Sequence, residues 1–160
     1  CSFAVQIAKA FGADVTGVGS TQKLDMLRAI GADHVIDYTQ VNVTPTGQQY
    51  DLIIDAAAYR SFWAYLPALR PEGTYVVVGG AMAPFFQAML LGPWMAKFSH
   101  RHVQCLAMKP NQDDLTTVRD LLVAGTIAPF IDQTYQLSEV PAAIRYLEQR
   151  QVQGKIAVLI

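Results

Sequence analysis

The chain has 160 residues, 52% apolar and 16% charged, and twelve basic against thirteen acidic side chains leave a formal charge of −1. This is enough chain to bury a core without disulfides or metal, and too apolar for intrinsic disorder. Scattered Lys and Arg exclude a basic stripe for nucleic acid, and Cys1 and Cys105 match no zinc or redox spacing.

Phe3, Ala4, Ile7, Ala8 and Phe11 recur at helical spacing, and Gly12 stops the run as a C-terminal cap. No basic segment leads into an apolar run at the N-terminus, so no signal peptide is expected, and a reducing, cytoplasmic setting is. Residues 14–18 read as a strand. Ser20 or Thr21 can cap a second helix, with Leu24, Leu27 and Ile30 inward and Gly31 as its stop. Residues 34–37 read as a short strand and 41–49 as a loop with Pro45 and Gly47. Asp51-Leu-Ile-Ile-Asp55 reads as a buried strand.

Residues 61–69 are expected to be helical, ended by a turn at Pro71-Glu72-Gly73, with a strand at 74–78. No charge occurs among the 24 residues between Glu72 and Lys97, a stretch long enough for a membrane span. Gly79-Gly80, Pro84 and Gly92-Pro93 cut it, so it reads as a buried strand followed by an apolar interface segment. Residues 103–107 form another expected strand. Asn111 caps a helix carrying Leu115, Val118, Leu121 and Leu122, stopped by Gly125. Ser138 caps the next, with Val140, Ile144 and Leu147 inward, and residues 155–160 are a final strand.

Apolar strands alternating with helices predict an α/β fold: a parallel, doubly wound sheet of Rossmann type with right-handed crossovers. Its ligand is expected outside the carboxyl ends of the strands. The position after the second strand of such a domain meets the adenosine ribose; an acid suits the 2′-hydroxyl of NAD, small hydroxyls with a cation the 2′-phosphate of NADP. Here no acid occurs until Asp25, and Ser20, Thr21 and Lys23 supply two hydroxyls and a positive charge at a helix start. The same residues also fit a plain helix cap and a solvated lysine. His100, His102 and Cys105 do not share one strand face, so no metal site is expected. No Ser/His/Asp or Cys/His arrangement suggests a nucleophile, so no catalytic residue is assigned.

The whole chain resembles the C-terminal, cofactor-binding part of medium-chain dehydrogenases/reductases. Within the zinc-binding dehydrogenase superfamily it is most similar to the zinc-independent quinone oxidoreductase branch. The residues that carry the resemblance are Phe3-Ala-Val-Gln-Ile-Ala-Lys9 with Gly12-Ala13, Gly31-Ala-Asp-His-Val-Ile-Asp-Tyr38, and Tyr50-Asp-Leu-Ile-Ile-Asp55. Leu69-Arg-Pro71 with Gly73, Gly79-Gly80, Leu137-Ser-Glu-Val-Pro-Ala-Ala143 and Gly154-Lys155 continue it in order.

The resemblance implies an NADPH-dependent oxidoreductase passing hydride to a quinone or an α,β-unsaturated carbonyl, and a homodimer. Ser20, Thr21 and Lys23 match its 2′-phosphate binders, and Tyr38 a tyrosine beside the adenosine phosphate. Ala57 matches a backbone contact to the ribose side, and Gly79, Gly80, Ala107 and Met108 the nicotinamide surroundings. Where the family has Val-Gly, Asp55 is followed by Ala56-Ala57-Ala58, which adds a methyl near the cofactor groove. The resemblance reads residues 1–160 as an incomplete NADP-binding domain without its first strand and glycine loop, with a catalytic domain expected upstream. These residues alone are therefore not expected to catalyse turnover. A zinc-dependent alcohol dehydrogenase relative and a non-enzymatic nucleotide-sensing domain are alternatives.

Overall fold

The computed structural model of the chain describes residues 2–43, 47–58, 60–80, 86–90, 92, 100–106, 109–149 and 151–160. They divide into two compact units, one formed by residues 1–41 with 110–160 and the other by residues 42–109.

In the first unit α1 spans Ser2–Ala10, and Gly12 leaves it with φ +77°. Phe11 continues the apolar spacing but is 77% exposed, because the helix ends before it. The strand expected at 14–18 is β1, Thr16–Gly19. Its start is displaced because the Val15 N–H is taken by the Asp33 carboxylate and the Val15 carbonyl accepts from Asp33 and His34. β2, His34–Asp37, pairs with β1 in parallel register from Thr16↔His34 to Gly19↔Asp37.

The second helix begins as a 3₁₀ turn, Thr21–Lys23, and continues as α2, Leu24–Ala29. Ser20 precedes the turn in extended conformation without a side-chain cap bond, so capping does not explain it. A Cβ on Gly17 would lie 3.2 Å from Leu27 and one on Gly19 3.0 Å, so the bare strand lets α2 pack close. Met26, Leu27 and Ala32 are buried there against Val5, Leu24, Ile30, Val35 and Phe130.

A strand that the hydropathy pattern does not announce, β6, Ile131–Gln136, pairs in parallel with β7, Lys155–Leu159. Its sequence, IDQTYQ, is mostly polar, and the carboxylate of Asp132 is satisfied by the Tyr146 hydroxyl at 2.9 Å and the Gln153 N–H at 3.0 Å. β7 thus belongs to a small sheet of its own. Asn111 caps α3, Gln112–Val123, as expected, its Oδ1 accepting from the Asp114 N–H at 2.8 Å. The expected inner face is not buried, with Leu115 64% exposed and Leu122 40%. Ser138 is not the cap of α4, Val140–Glu148: a 3₁₀ turn, Leu137–Glu139, precedes it, closed by a capping box between Gln136 and Glu139. Ala143 is the buried residue of α4, while Ile144 and Leu147 lie about half exposed.

The second unit is a parallel sheet in the order β3-β4-β5, formed by Tyr50–Asp55, Leu69–Val77 and His102–Cys105. Leaving out the first strand of the 3-2-1-4-5-6 order yields this pairing together with that of β1 and β2. Contrary to expectation β3 is not buried throughout: Leu52 is 52% and Ile54 44% exposed, while Ile53 faces the core. The expected helix over 61–69 is instead two 3₁₀ turns, Phe62–Ala64 and Leu66–Ala68, because Pro67 has no N–H to continue a ladder. The turn at Pro71-Glu72-Gly73 becomes an excursion within β4. Tyr50 pairs with Leu69 and Leu52 already with Thr74, and Glu72 adopts φ +64°.

Ala58, Phe62, Leu66, Leu69, Tyr75, Val77, Ala88 and Val103 form the core of this unit. The expected apolar interface segment falls mainly on residues outside those described; within it Phe86, Met89 and Leu90 are exposed. Among the described residues no helix is long and apolar enough to cross a membrane.

Candidate functional site

In the first unit the turn after β1 carries three of the expected site residues. Ser20 is half-buried, and Thr21 and Lys23 follow in the 3₁₀ turn. The register Gly19↔Asp37 places the end of β2 level with this turn, and the Tyr38 N–H donates to the Gly19 carbonyl at 3.1 Å. The Tyr38 side chain is 56% exposed.

Asp37, which the sequence did not single out, is brought onto the turn. The Thr21 hydroxyl donates to one carboxylate oxygen at 2.5 Å. The Thr39 hydroxyl donates to the other at 2.6 Å, and the Thr39 N–H to the same atom at 2.9 Å. These bonds, that from Thr21 foremost, hold the Asp37 carboxyl below its ordinary range.

A cavity of about 260 Å³ in the same unit is lined by Ser2, Phe3, Lys23, Val152, Gly154 and Lys155. Lys155 comes from β7, more than a hundred residues away, and lines the same cavity as Lys23. Its nitrogen lies 6.0 Å from the Phe3 ring centroid. A broader cavity of about 430 Å³ is lined by Gln6, Lys9, Ala10, Ala29, Ile30, Gly31 and Thr126, but Lys9 is already paired with Asp33 at 2.8 Å.

In the second unit the expected site residues Ala57, Gly79 and Gly80 meet at the carboxyl ends of β3 and β4. Asp55 ends β3, and its Oδ1 accepts the N–H of Ala57 at 3.0 Å and of Ala58 at 2.7 Å. Its Oδ2 accepts the Tyr75 hydroxyl at 2.7 Å. Tyr75 is 1% exposed and stacks on Tyr65 with centroids 5.4 Å apart. Burial first, and the Asp55 carboxylate second, push its phenol far above the ordinary range, so it stays a hydrogen-bond donor. The two bonds to Asp55 support Ala58 in a left-handed conformation, φ +37°.

Against this loop lies Gly80, φ +128°, so close that a Cβ there would be 1.9 Å from the Ala57 oxygen. A Cβ on Gly79 would come no nearer than 3.6 Å to the Ala56 oxygen. Only glycine fits at 80. The structure therefore brings Ala57 and Gly80 into backbone contact, while Ala107 and Met108 lie outside the described residues. The part Asp55 and Tyr75 play in holding this loop was not read from the sequence. The available signal was a carboxylate at a strand's carboxyl end followed by small residues.

At the amino ends of β4 and β5 Glu72 faces two histidines, with His100 Nδ1 at 3.3 Å and His102 Nε2 at 3.6 Å. The side chains of His100 and Glu72 are largely exposed and that of His102 is about half-buried. Among the described residues no group of three or more His, Cys, Asp or Glu is placed to hold a metal ion.

The zinc-binding dehydrogenase model matches residues 30–158. The chain belongs to the zinc-binding dehydrogenase family. It is 30% identical to the trans-enoyl reductase pgmF of Aspergillus terreus, over 99% of the chain and 48% of that protein. It is 28% identical to a chloroplastic NADPH-dependent alkenal/one oxidoreductase of Arabidopsis thaliana, over 98% of the chain and 37% of that protein. The quinone oxidoreductase of Coxiella burnetii superposes with a TM-score of 0.81 at 25% identity, over 98% of this chain and 48% of that one. These family members are oxidoreductases with Rossmann-type domains, and the chain spans about half their length or less.

Proposed function

We propose that the chain is the NADPH-binding part of an oxidoreductase that reduces a quinone or an α,β-unsaturated carbonyl. The observation that carries the reading is the turn after β1, where Ser20, Thr21 and Lys23 gather two hydroxyls and an ammonium and Tyr38 is exposed beside them. The donor set fits a 2′-phosphate: Lys23 supplies the charge-assisted bond and Ser20 a hydroxyl not spent on capping. The nicotinamide, when bound, supplies the hydride. Asp55 fixes the loop that carries Ala57, and Gly79-Gly80 offers bare backbone on the nicotinamide side. Substrate positioning belongs to a catalytic domain preceding these residues. The relatives' enoyl, alkenal and quinone chemistry supports the substrate class.

Titration of the full-length protein with both cofactors tests this. Lys23→Ala should weaken NADPH roughly tenfold or more and leave NADH nearly unaffected, since bonds to a charged group contribute about 1.5–3 kcal/mol. Tighter NADH binding by the unaltered protein would refute the NADPH assignment. The homodimer is part of the same proposal, and the exposed Phe86, Met89 and Leu90 support an apolar contact. A monomer in sedimentation equilibrium at high concentration would remove it.

A further inference from the structure

We infer that Asp37 is a specificity-determining residue: by taking the Thr21 proton it leaves that hydroxyl an acceptor, suited to a ribose 2′-hydroxyl rather than to a 2′-phosphate. The inference rests on the cofactor reading above and deepens it.

A threonine hydroxyl has one proton and two lone pairs. Thr21 directs its proton to Oδ2 of Asp37, and Thr39 directs both its hydroxyl and its N–H to Oδ1. The two hydroxyl oxygens stand 3.3 Å apart, each already committed as a donor to the carboxylate. What this edge of the turn presents outward is lone pairs and negative charge. A phosphate dianion brings acceptors only, so it meets no donor at Thr21 and a like charge behind it. A 2′-hydroxyl brings its own proton, which the Thr21 oxygen or Asp37 accepts.

The opposite preference comes from Ser20 and Lys23 on the same turn. The turn therefore balances two demands, and the protein uses both nicotinamide cofactors, with NADPH favoured by no more than about tenfold. An unopposed Lys23 would give more. The balance does not follow from the spacing of Ser20, Thr21 and Lys23, because the acid arrives from the neighbouring strand.

The test is fluorescence titration of the full-length protein with NADPH and NADH in Asp37→Asn and Thr21→Val variants. Asp37→Asn keeps an acceptor for Thr21 and removes the charge, and should raise the NADPH to NADH affinity ratio roughly tenfold. Thr21→Val should cost NADH more than NADPH, and it decides the matter if Asp37→Asn is too unstable to titrate. A ratio unchanged within about twofold in Asp37→Asn, or a Thr21→Val loss falling mainly on NADPH, overturns the inference and leaves the cofactor reading standing. Binding of neither cofactor by the unaltered protein overturns that reading and the inference with it.

Discussion

Gly80→Ala should be severely disruptive while Gly79→Ala is tolerated, although the two glycines are adjacent. At Gly80 the added Cβ would stand 1.9 Å from the Ala57 oxygen, 2.3 Å from its carbonyl carbon and 2.8 Å from the Ala58 Cβ. The Ala57 carbonyl would have to retreat by about 1 Å to reach the shortest separations that real Cβ atoms show. That carbonyl cannot move alone, because Asp55 holds the N–H groups of Ala57 and Ala58. Forcing alanine to φ +128° costs about 1–3 kcal/mol, and breaking one charge-assisted bond about 1.5–3 kcal/mol more. The sum, about 2.5–6 kcal/mol, is a large share of the 5–15 kcal/mol by which domains are stable. At Gly79 the nearest neighbour is 3.6 Å away and φ is not left-handed, so alanine should stay within about 0.5 kcal/mol. Urea unfolding followed by tryptophan fluorescence measures both, and amide exchange at Ala57 and Ala58 reports the loop directly. Equal midpoints for the two variants would refute the contact between Gly80 and the Ala57 carbonyl.

Other outcomes follow from the same structure. Tyr75→Phe should lose about 1.5–3 kcal/mol in urea unfolding, because it strips a buried hydroxyl from the Asp55 carboxylate, and it should speed exchange at Ala57 and Ala58. Phe62→Ala, at 1% exposure in the core of the second unit, should cost about 3–5 kcal/mol in the same assay. Asp33 is held below the ordinary carboxylate range, first by its bond from Lys9 and then by the Val15 N–H. A lowered folded value means its stabilisation is complete above the unfolded value and is lost as pH falls through the folded one. The Tm difference between the unaltered protein and Asp33→Asn should therefore be present at pH 7 and fade as the pH falls below the ordinary carboxylate range. Burial pushes the Cys105 thiol up, so site-resolved alkylation at pH 7 should be slow until urea unfolds the chain.

Local patterns in the chain were enough to place most elements. Gly12 and Gly31 end their helices at positive φ, Asn111 caps α3 through its side chain, and residues 34–37 form β2 without displacement. The alternation of apolar strands with helices likewise declared the α/β class and the parallel pairing. These features were legible because a cap, a turn or a pleat is decided within a few residues. Pattern reading failed where distant groups decided the outcome. β6 is polar and becomes a strand through its ladder with β7 and the bonds of Asp132 to Tyr146 and Gln153. The apolar faces of α3 and α4 marked helices correctly but not burial, which depends on what is available to cover them. At the site, Ser20, Thr21 and Lys23 were visible as a cluster, but the sequence could not show that Asp37 takes the Thr21 proton or that Lys155 joins Lys23 at one cavity. Nor could it show that Asp55 pins the Ala57 loop against Gly80. Hydrogen-bond direction and charge balance depend on atoms a few ångströms apart in space, and strand register, not sequence spacing, sets those distances.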